Sequence, residues 1–137
     1  MLRVVVDPNV FVSAVIQPAG TSAAAIRAGL AGRYRFIACP ALIDELAEVL
    51  GRPKLAPFVS AEEASELVDS LLGSAEMHDD PPARLAVLRD PADEYLVALA
   101  MAASADLIAS GDRDLLDASG APAVVSPRQL LERLQPQ

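Results

Sequence analysis

Aromatic residues make up only 4% of this 137-residue chain, with no tryptophan, one cysteine (Cys39) and one histidine (His78). With a single cysteine no disulfide can close within the chain, a usage that suits a reducing, cytoplasmic setting. Cys39 itself reads as a small buried hydrophobe. Lysine is nearly missing: Lys54 is the only one among 11 basic residues, which face 19 acids for a net charge of −8. Broad, non-specific binding to a nucleic-acid backbone needs many Lys and Arg and is disfavoured. A nucleic-acid substrate remains open, because a metal would neutralise part of the acid and arginines can meet phosphate locally. A basic partner chain would also answer the imbalance. No apolar run approaches the about 18 residues of a membrane span, so no membrane partner is expected. The opening residues read as a strand ending in Asp7, not as a signal peptide. A glycine-rich phosphate loop is missing as well.

What is present is apolar sequence, 53% of the chain, enough for one domain over residues 1–137 with a real core. LRVVV is a short β-branched run, as in a buried parallel strand. NVFVSAVI and TSAAAIRAGLAG predict helices, the second capped by Thr21 or Ser22 and closed near Gly32. YRFIAC predicts a strand; PALIDELAEVL is a helix with Pro40 in its first turn and Gly51 at its end. SAEEASELVDSLLG carries Ser60 as cap and Glu62 and Glu63 at the positive end of a helix. AEMH is a short strand, and Pro81-Pro82 interrupts regular structure. DPADEYLVALAMAAS, DLIAS, DRDLLD, AVVS and PRQLLERL follow as helix, strand, short helix, strand and helix. This alternation is that of an α/β domain with a parallel sheet and helices on both faces.

Four acidic segments mark the edges of these elements: Asp7-Pro8-Asn9, Asp44-Glu45, Asp90-Pro91-Ala92-Asp93-Glu94, and Ser110-Gly111-Asp112-Arg113-Asp114. In an open parallel sheet, ligands bind beyond the carboxyl ends of strands at the point where strand order reverses. Asp7 ends the first strand and Asp112 follows a later one, so neighbouring strands would bring both into one crevice. Taken singly, each is equally well explained as a turn residue or helix cap. On a helix at about 100° per residue, Leu42, Ile43, Leu46, Val49 and Leu50 form one apolar arc. Asp44 and Glu48 point away from it, and Glu45 sits at its rim, as a snorkelling carboxylate also would. Asp93 shares a face with Leu96, Val97 and Ala100, an apolar stripe that tolerates a carboxylate only in the first turn. Asp90 before Pro91 suits an N-cap; Glu94 lies at the stripe margin. His78 reads as a solvated loop residue, and Asp106 lies at the amino end of its strand. Ser13 and Ser110 lack a base that would make either a nucleophile. Carboxylates gathered without a cation repel one another, so a divalent metal is their expected purpose. Hard oxygen ligands favour Mg²⁺ or Mn²⁺ over zinc.

With these positions in hand, the chain resembles the PIN-domain nucleases over almost its whole length. The pieces that carry the likeness are VVVDPNVFVSAVI, PALIDELAEVLGRPK, LRDPADEYLVALAMAASADLIASGDRDLL and VVSPRQLLERL. It is most similar to the compact toxins of toxin–antitoxin pairs, relatives of the VapC-like ribonucleases. The resemblance implies a three-layer, Rossmann-like α/β/α sandwich around a central parallel sheet of four to five strands. It also implies RNA cleavage with Mg²⁺ or Mn²⁺, and frequent homodimers. The family's acids carry over onto Asp7, Glu45, Asp93 and Asp112 as catalytic metal ligands. Asn9 corresponds to the polar residue two after the first acid; Asp114, Glu94 and Ser110 would lie beside the ligands or the substrate. Pro8 stands where many relatives have Thr, so any hydroxyl contact from that side chain is lost.

The expected function is therefore metal-dependent endoribonuclease, the toxin of a type II pair. The alternatives are a housekeeping RNA-processing or structure-specific DNA nuclease, or a non-catalytic protein-binding domain. Phosphoaspartate enzymes are disfavoured by Asn9, where a second Asp would stand, and receiver domains by the want of a late lysine. Partners expected are RNA, a basic antitoxin protein and a second copy of the chain. For the second copy, the apolar helices near Phe11, Val15 and Ile26 are the expected contact.

Overall fold

Three consecutive valines carry the chain through the middle of its sheet. Strand β1 (Arg3–Val6) has parallel neighbours on both sides, and Val4 and Val5 are wholly buried. In the computed structural model, which describes residues 1–81, 91–111 and 123–135 (side chains of 91–94 excepted), β1 is followed by α1 (Pro8–Ile16) and α2 (Thr21–Leu30). Then come β2 (Arg35–Ala38), α3 (Pro40–Leu50), a 3₁₀ turn at Pro53–Leu55, α4 (Ala61–Ser74) and β3 (Glu76–Met77). Helix α5 (Pro91–Ala102), strands β4 (Leu107–Ala109) and β5 (Ala123–Val125), and helix α6 (Pro127–Leu134) complete the described elements.

The sheet is five-stranded and parallel, in the order β3-β2-β1-β4-β5. Val5 faces Ile37 on one side and Ile108 on the other. Chain order runs outward from β1 through β2 to β3, then returns to add β4 and β5 on the opposite side. The strand order therefore reverses between β1 and β4, and a crevice opens at their carboxyl ends. The result is the expected α/β sandwich: α5 lies against β1 and β4, α4 against β2 and α6 against β5.

Helix α2 also packs on α1, α4 and α6. That explains the apolar surplus of the first two helices, which have other helices to cover as well as the sheet. Phe11 and Ile26 are 0% and 4% exposed within the single chain. Both belong to the chain's own core, while Val15, the third residue named for a dimer contact, is only partly buried. The cap of α2 is a second correction. Gly20, not Thr21 or Ser22, holds the N-cap, and no side chain caps this helix. The cause is the tight turn before it, in which Gly20 N donates to Gln17 O at 2.9 Å. The serine caps at Ser60 and Ser126 both close reciprocal capping boxes, with Glu63 and Gln129.

At the sheet's β3 edge, Arg3 reaches across β2 to Glu76, donating from Nε to Oε1 at 3.3 Å and from Nη2 to Oε2. His78 bonds the same carboxylate through Nε2, and its backbone N–H donates to Ala38 O at 2.8 Å. The histidine is thus a partly buried member of an edge clamp, not a solvated loop residue. Asp106 accepts from Arg3 N at 2.8 Å, a structural role at the amino end of β4.

Candidate active site

Asp7 stands where β1 gives way to α1, and it serves both neighbours. Its backbone N–H donates to Ala109 O at 2.9 Å, tying the end of β1 to the end of β4. Its Oδ1 accepts from Asn9 N at 2.9 Å, so the carboxylate is also the N-cap of α1. Its Oδ2 accepts from Ser110 Oγ at 2.8 Å. Cap and candidate ligand therefore coincide in one residue, whose two oxygens each accept a hydrogen bond within the protein. Asp7 is 3% exposed and Ser110 0%, the two buried polar residues in the described core. Ser110, held by its own N–H to Val125 O at 2.9 Å, is a positioning group for Asp7.

Glu45 arrives from α3, half-buried at the edge of the apolar arc, while Asp44 and Glu48 face solvent. The helix that carries it is fixed at its start by a distant residue. Cys39 makes no side-chain cap; Asp80 Oδ1 instead accepts from Ala41 N at 2.8 Å. Burial pushes the Cys39 thiol up to about 11, so it is an inert core residue. Glu45 Oε1 accepts the Tyr95 hydroxyl proton at 3.1 Å. Burial raises the pKa of Glu45; the Tyr95 bond works against that shift, and the charge of Asp7 adds to it. Two carboxylates from separate elements thus lie within each other's field.

Tyr95 is the site residue that sequence reasoning missed. Its signal was a lone hydroxyl-bearing ring in DEYLV, two positions after Asp93. Because Tyr95 lies in the first half of α5 and touches Glu45, the start of α5 is brought to α3. Positions 93 and 94 occupy the first turn of that helix; nothing further is described of their side chains. Asp112 and Asp114 lie outside the described residues, as does Asp90. Among the described residues, no group of three His, Cys, Asp or Glu is close enough to hold a metal ion. The charges of Asp7 and Glu48 are both near enough to raise the pKa of Glu45.

Beside Asp7 is a cavity of about 410 Å³ whose lining includes Asn9, Ser13, Ser22, Gly111 and Pro127. It occupies the crevice beyond the carboxyl ends of β1 and β4, where strand order reverses.

A family model for the PIN domain matches residues 3–114, a span containing Asp7, Glu45, Asp93 and Asp112. Among solved structures, the crystal structure of PAE2754 from Pyrobaculum aerophilum is similar with a TM-score of 0.67 and 21% identity, covering 97% of this chain and 89% of that one. At that identity the likeness speaks to fold. No match is found among curated proteins.

Proposed function

The chain belongs to the PIN-domain family, whose fold is of the nuclease type, and on that premise we propose that it is a Mg²⁺- or Mn²⁺-dependent endoribonuclease, the toxin of a type II toxin–antitoxin pair. The observation that carries the reading is the placement of Asp7: a buried carboxylate, oriented by two hydrogen bonds, in the crevice at the strand-order reversal.

The donor set fits a hard divalent cation. Asp7 and Glu45 offer carboxylate oxygens, and each raises the electrostatic cost of the other's charge unless a cation is present. The carboxylates of Asp93, at the start of α5, and of Asp112 are the proposed further ligands. When bound, the metal would lower the pKa of a water and shield the charge of the attacked phosphate.

The chain's own residues perform the positioning. The Ser110 hydroxyl and the Asn9 N–H fix the orientation of Asp7, and Tyr95 fixes that of Glu45. Little rotamer freedom is then left to lose when the substrate is engaged. Ser110 does not act as nucleophile, since its proton is donated to Asp7 and it is wholly buried. Water supplies the oxygen that bonds to phosphorus as the P–O3′ bond breaks, leaving a 5′-phosphate and a 3′-hydroxyl. Asn9, on the cavity wall, would orient the phosphate.

The toxin assignment rests on the likeness of the four sequence pieces and on charge. An acidic crevice on a chain of net charge −8 suits an Arg- or Lys-bearing segment of a basic antitoxin, which would gain charge-assisted hydrogen bonds there. A homodimer and a cytoplasmic location belong to the same reading. The test is brief expression in cells followed by sequencing of RNA ends, with Asp7→Asn as control. New 5′-phosphate ends that depend on Asp7, with cleavage by the purified protein abolished by chelator, are expected. Equal cleavage by Asp7→Asn sinks the assignment. Cleavage without toxicity moves the protein to housekeeping RNA processing.

A further inference from the structure

We propose that the cavity beside Asp7 holds one ribose of the RNA strand, and that the hydroxyls of Ser13 and Ser22 read its 2′-hydroxyl. The inference rests on the ribonuclease reading above and adds to it the residues that distinguish RNA from DNA.

Size comes first. Pockets that hold a small ligand begin at roughly 300 Å³, so a cavity of about 410 Å³ takes one nucleotide-sized group. Its chemistry then selects which part of the nucleotide. Among the described residues no aromatic ring and no arginine or lysine lines it. The described part of the lining thus offers a base no ring to stack on and a phosphate no basic side chain. Phe11, Tyr34 and Phe36 are buried in the core, and Tyr95 is engaged by Glu45. The cavity does offer neutral hydroxyls, which both donate and accept. The 2′-hydroxyl of ribose has the same double capacity, and it is the group by which proteins tell RNA from DNA.

The helices put those hydroxyls in place. Asn9 and Ser13 are four residues apart on α1 and so share one face. Ser22 comes from the first turn of α2, which is turned by 115° from α1. Because Gly20 is the cap of α2, the hydroxyl of Ser22 is not consumed in capping. Among the described residues neither serine hydroxyl is engaged by another protein group. Asp7 and Asn9 share the cavity wall with both serines. A ribose seated there would therefore adjoin the phosphate presented to Asp7.

The experiment compares Ser13→Ala/Ser22→Ala with the parent protein on an RNA oligonucleotide and on the same sequence in deoxyribose, in Mg²⁺. Binding of both strands is measured separately in the Asp7→Asn background by fluorescence anisotropy. Alanine is the better helix former at both positions, and circular dichroism checks the fold. The expected result is a fall in the RNA-to-DNA preference of roughly three- to tenfold per hydroxyl, the worth of a neutral hydrogen bond, in cleavage and in binding. An unchanged preference, or equal losses on RNA and DNA, overturns the proposal. RNA binding that loses its ribose preference on substitution, in a protein that cuts neither strand, sustains the ribose site and removes the nuclease reading. A protein that neither binds nor cuts either strand removes both.

Discussion

Tyr95 donates to one oxygen of Glu45 at 3.1 Å, and that bond is the part of the site whose function can be separated from its packing. Tyr95→Phe keeps the ring and removes the donor. Groups that orient a metal ligand from behind typically contribute 10–100-fold to metal affinity or activity. On the proposed reading of Glu45 as a metal ligand, the Mg²⁺ concentration for half-maximal cleavage should rise about tenfold, at the low end of that range. The melting temperature in chelator should stay close to that of the parent. A Mg²⁺ titration of initial rates checks the first outcome. An unchanged Mg²⁺ requirement, with a lowered melting temperature, would leave Tyr95 as a packing residue only. Asp7 shows why a single-residue reading of the sequence stayed open. The cap explanation holds, since one oxygen accepts from Asn9 N while the other accepts from Ser110 Oγ, and the proposed ligand role does not compete with it.

Between elements, a close approach lies where α2 crosses the start of β2. A Cβ on Gly29 would stand 2.3 Å from Phe36 Cζ and 2.6 Å from Tyr34 Cζ. Neither ring can yield easily. They pack edge to face with centroids 5.0 Å apart, and Tyr34 donates its hydroxyl to Ala25 O at 2.9 Å. The glycine is there for closeness. Gly29→Ala should destabilise the protein by about 1–3 kcal/mol, the usual cost of overpacking a core, although Ala is the better helix residue. Urea denaturation reads the difference; a neutral or stabilising outcome would mean that α2 slides away from β2 at little cost. At the same scale, the pattern of apolar positions correctly assigned α3 its buried arc and its solvent face. It could not supply the cap of that helix, because Asp80 lies 39 residues away.

For the whole molecule, the clamp of Arg3, Glu76 and His78 joins the central strand to the β3 edge. Hydrogen bonds from Arg3, then from His78, hold the carboxyl of Glu76 down at about 2. A carboxylate with a depressed folded pKa contributes stability that is fully present above its ordinary value of roughly 4.3. That stability is lost as pH falls toward the folded value. Thermal melts between pH 5 and pH 2 should therefore fall more steeply for the parent than for Glu76→Gln, with the two slopes alike above pH 5. Parallel curves across the acid range would mean that the clamp is too well solvated to matter.

The sequence by itself determined the order of the described elements, because apolar period and helix punctuation are local properties of adjacent residues; the short helix expected at DRDLLD lies outside the described residues. It also placed Asp7 at the end of a buried strand, Glu45 at the rim of an apolar arc and Asp93 in the first turn of its helix. Burial of Phe11 and Ile26, the glycine cap of α2 and the engaged state of His78 were decided by tertiary structure. Each depends on what lies opposite: a second helix, a turn back to Gln17, a carboxylate on the neighbouring strand. Strand order belongs with them. Nothing local to VVVD or DLIAS says that β1 and β4 are neighbours, yet that pairing places Ser110 against Asp7 and opens the crevice. Hydrogen bonds between residues 103 positions apart are the product of the folded sheet, and the site exists only once it has formed.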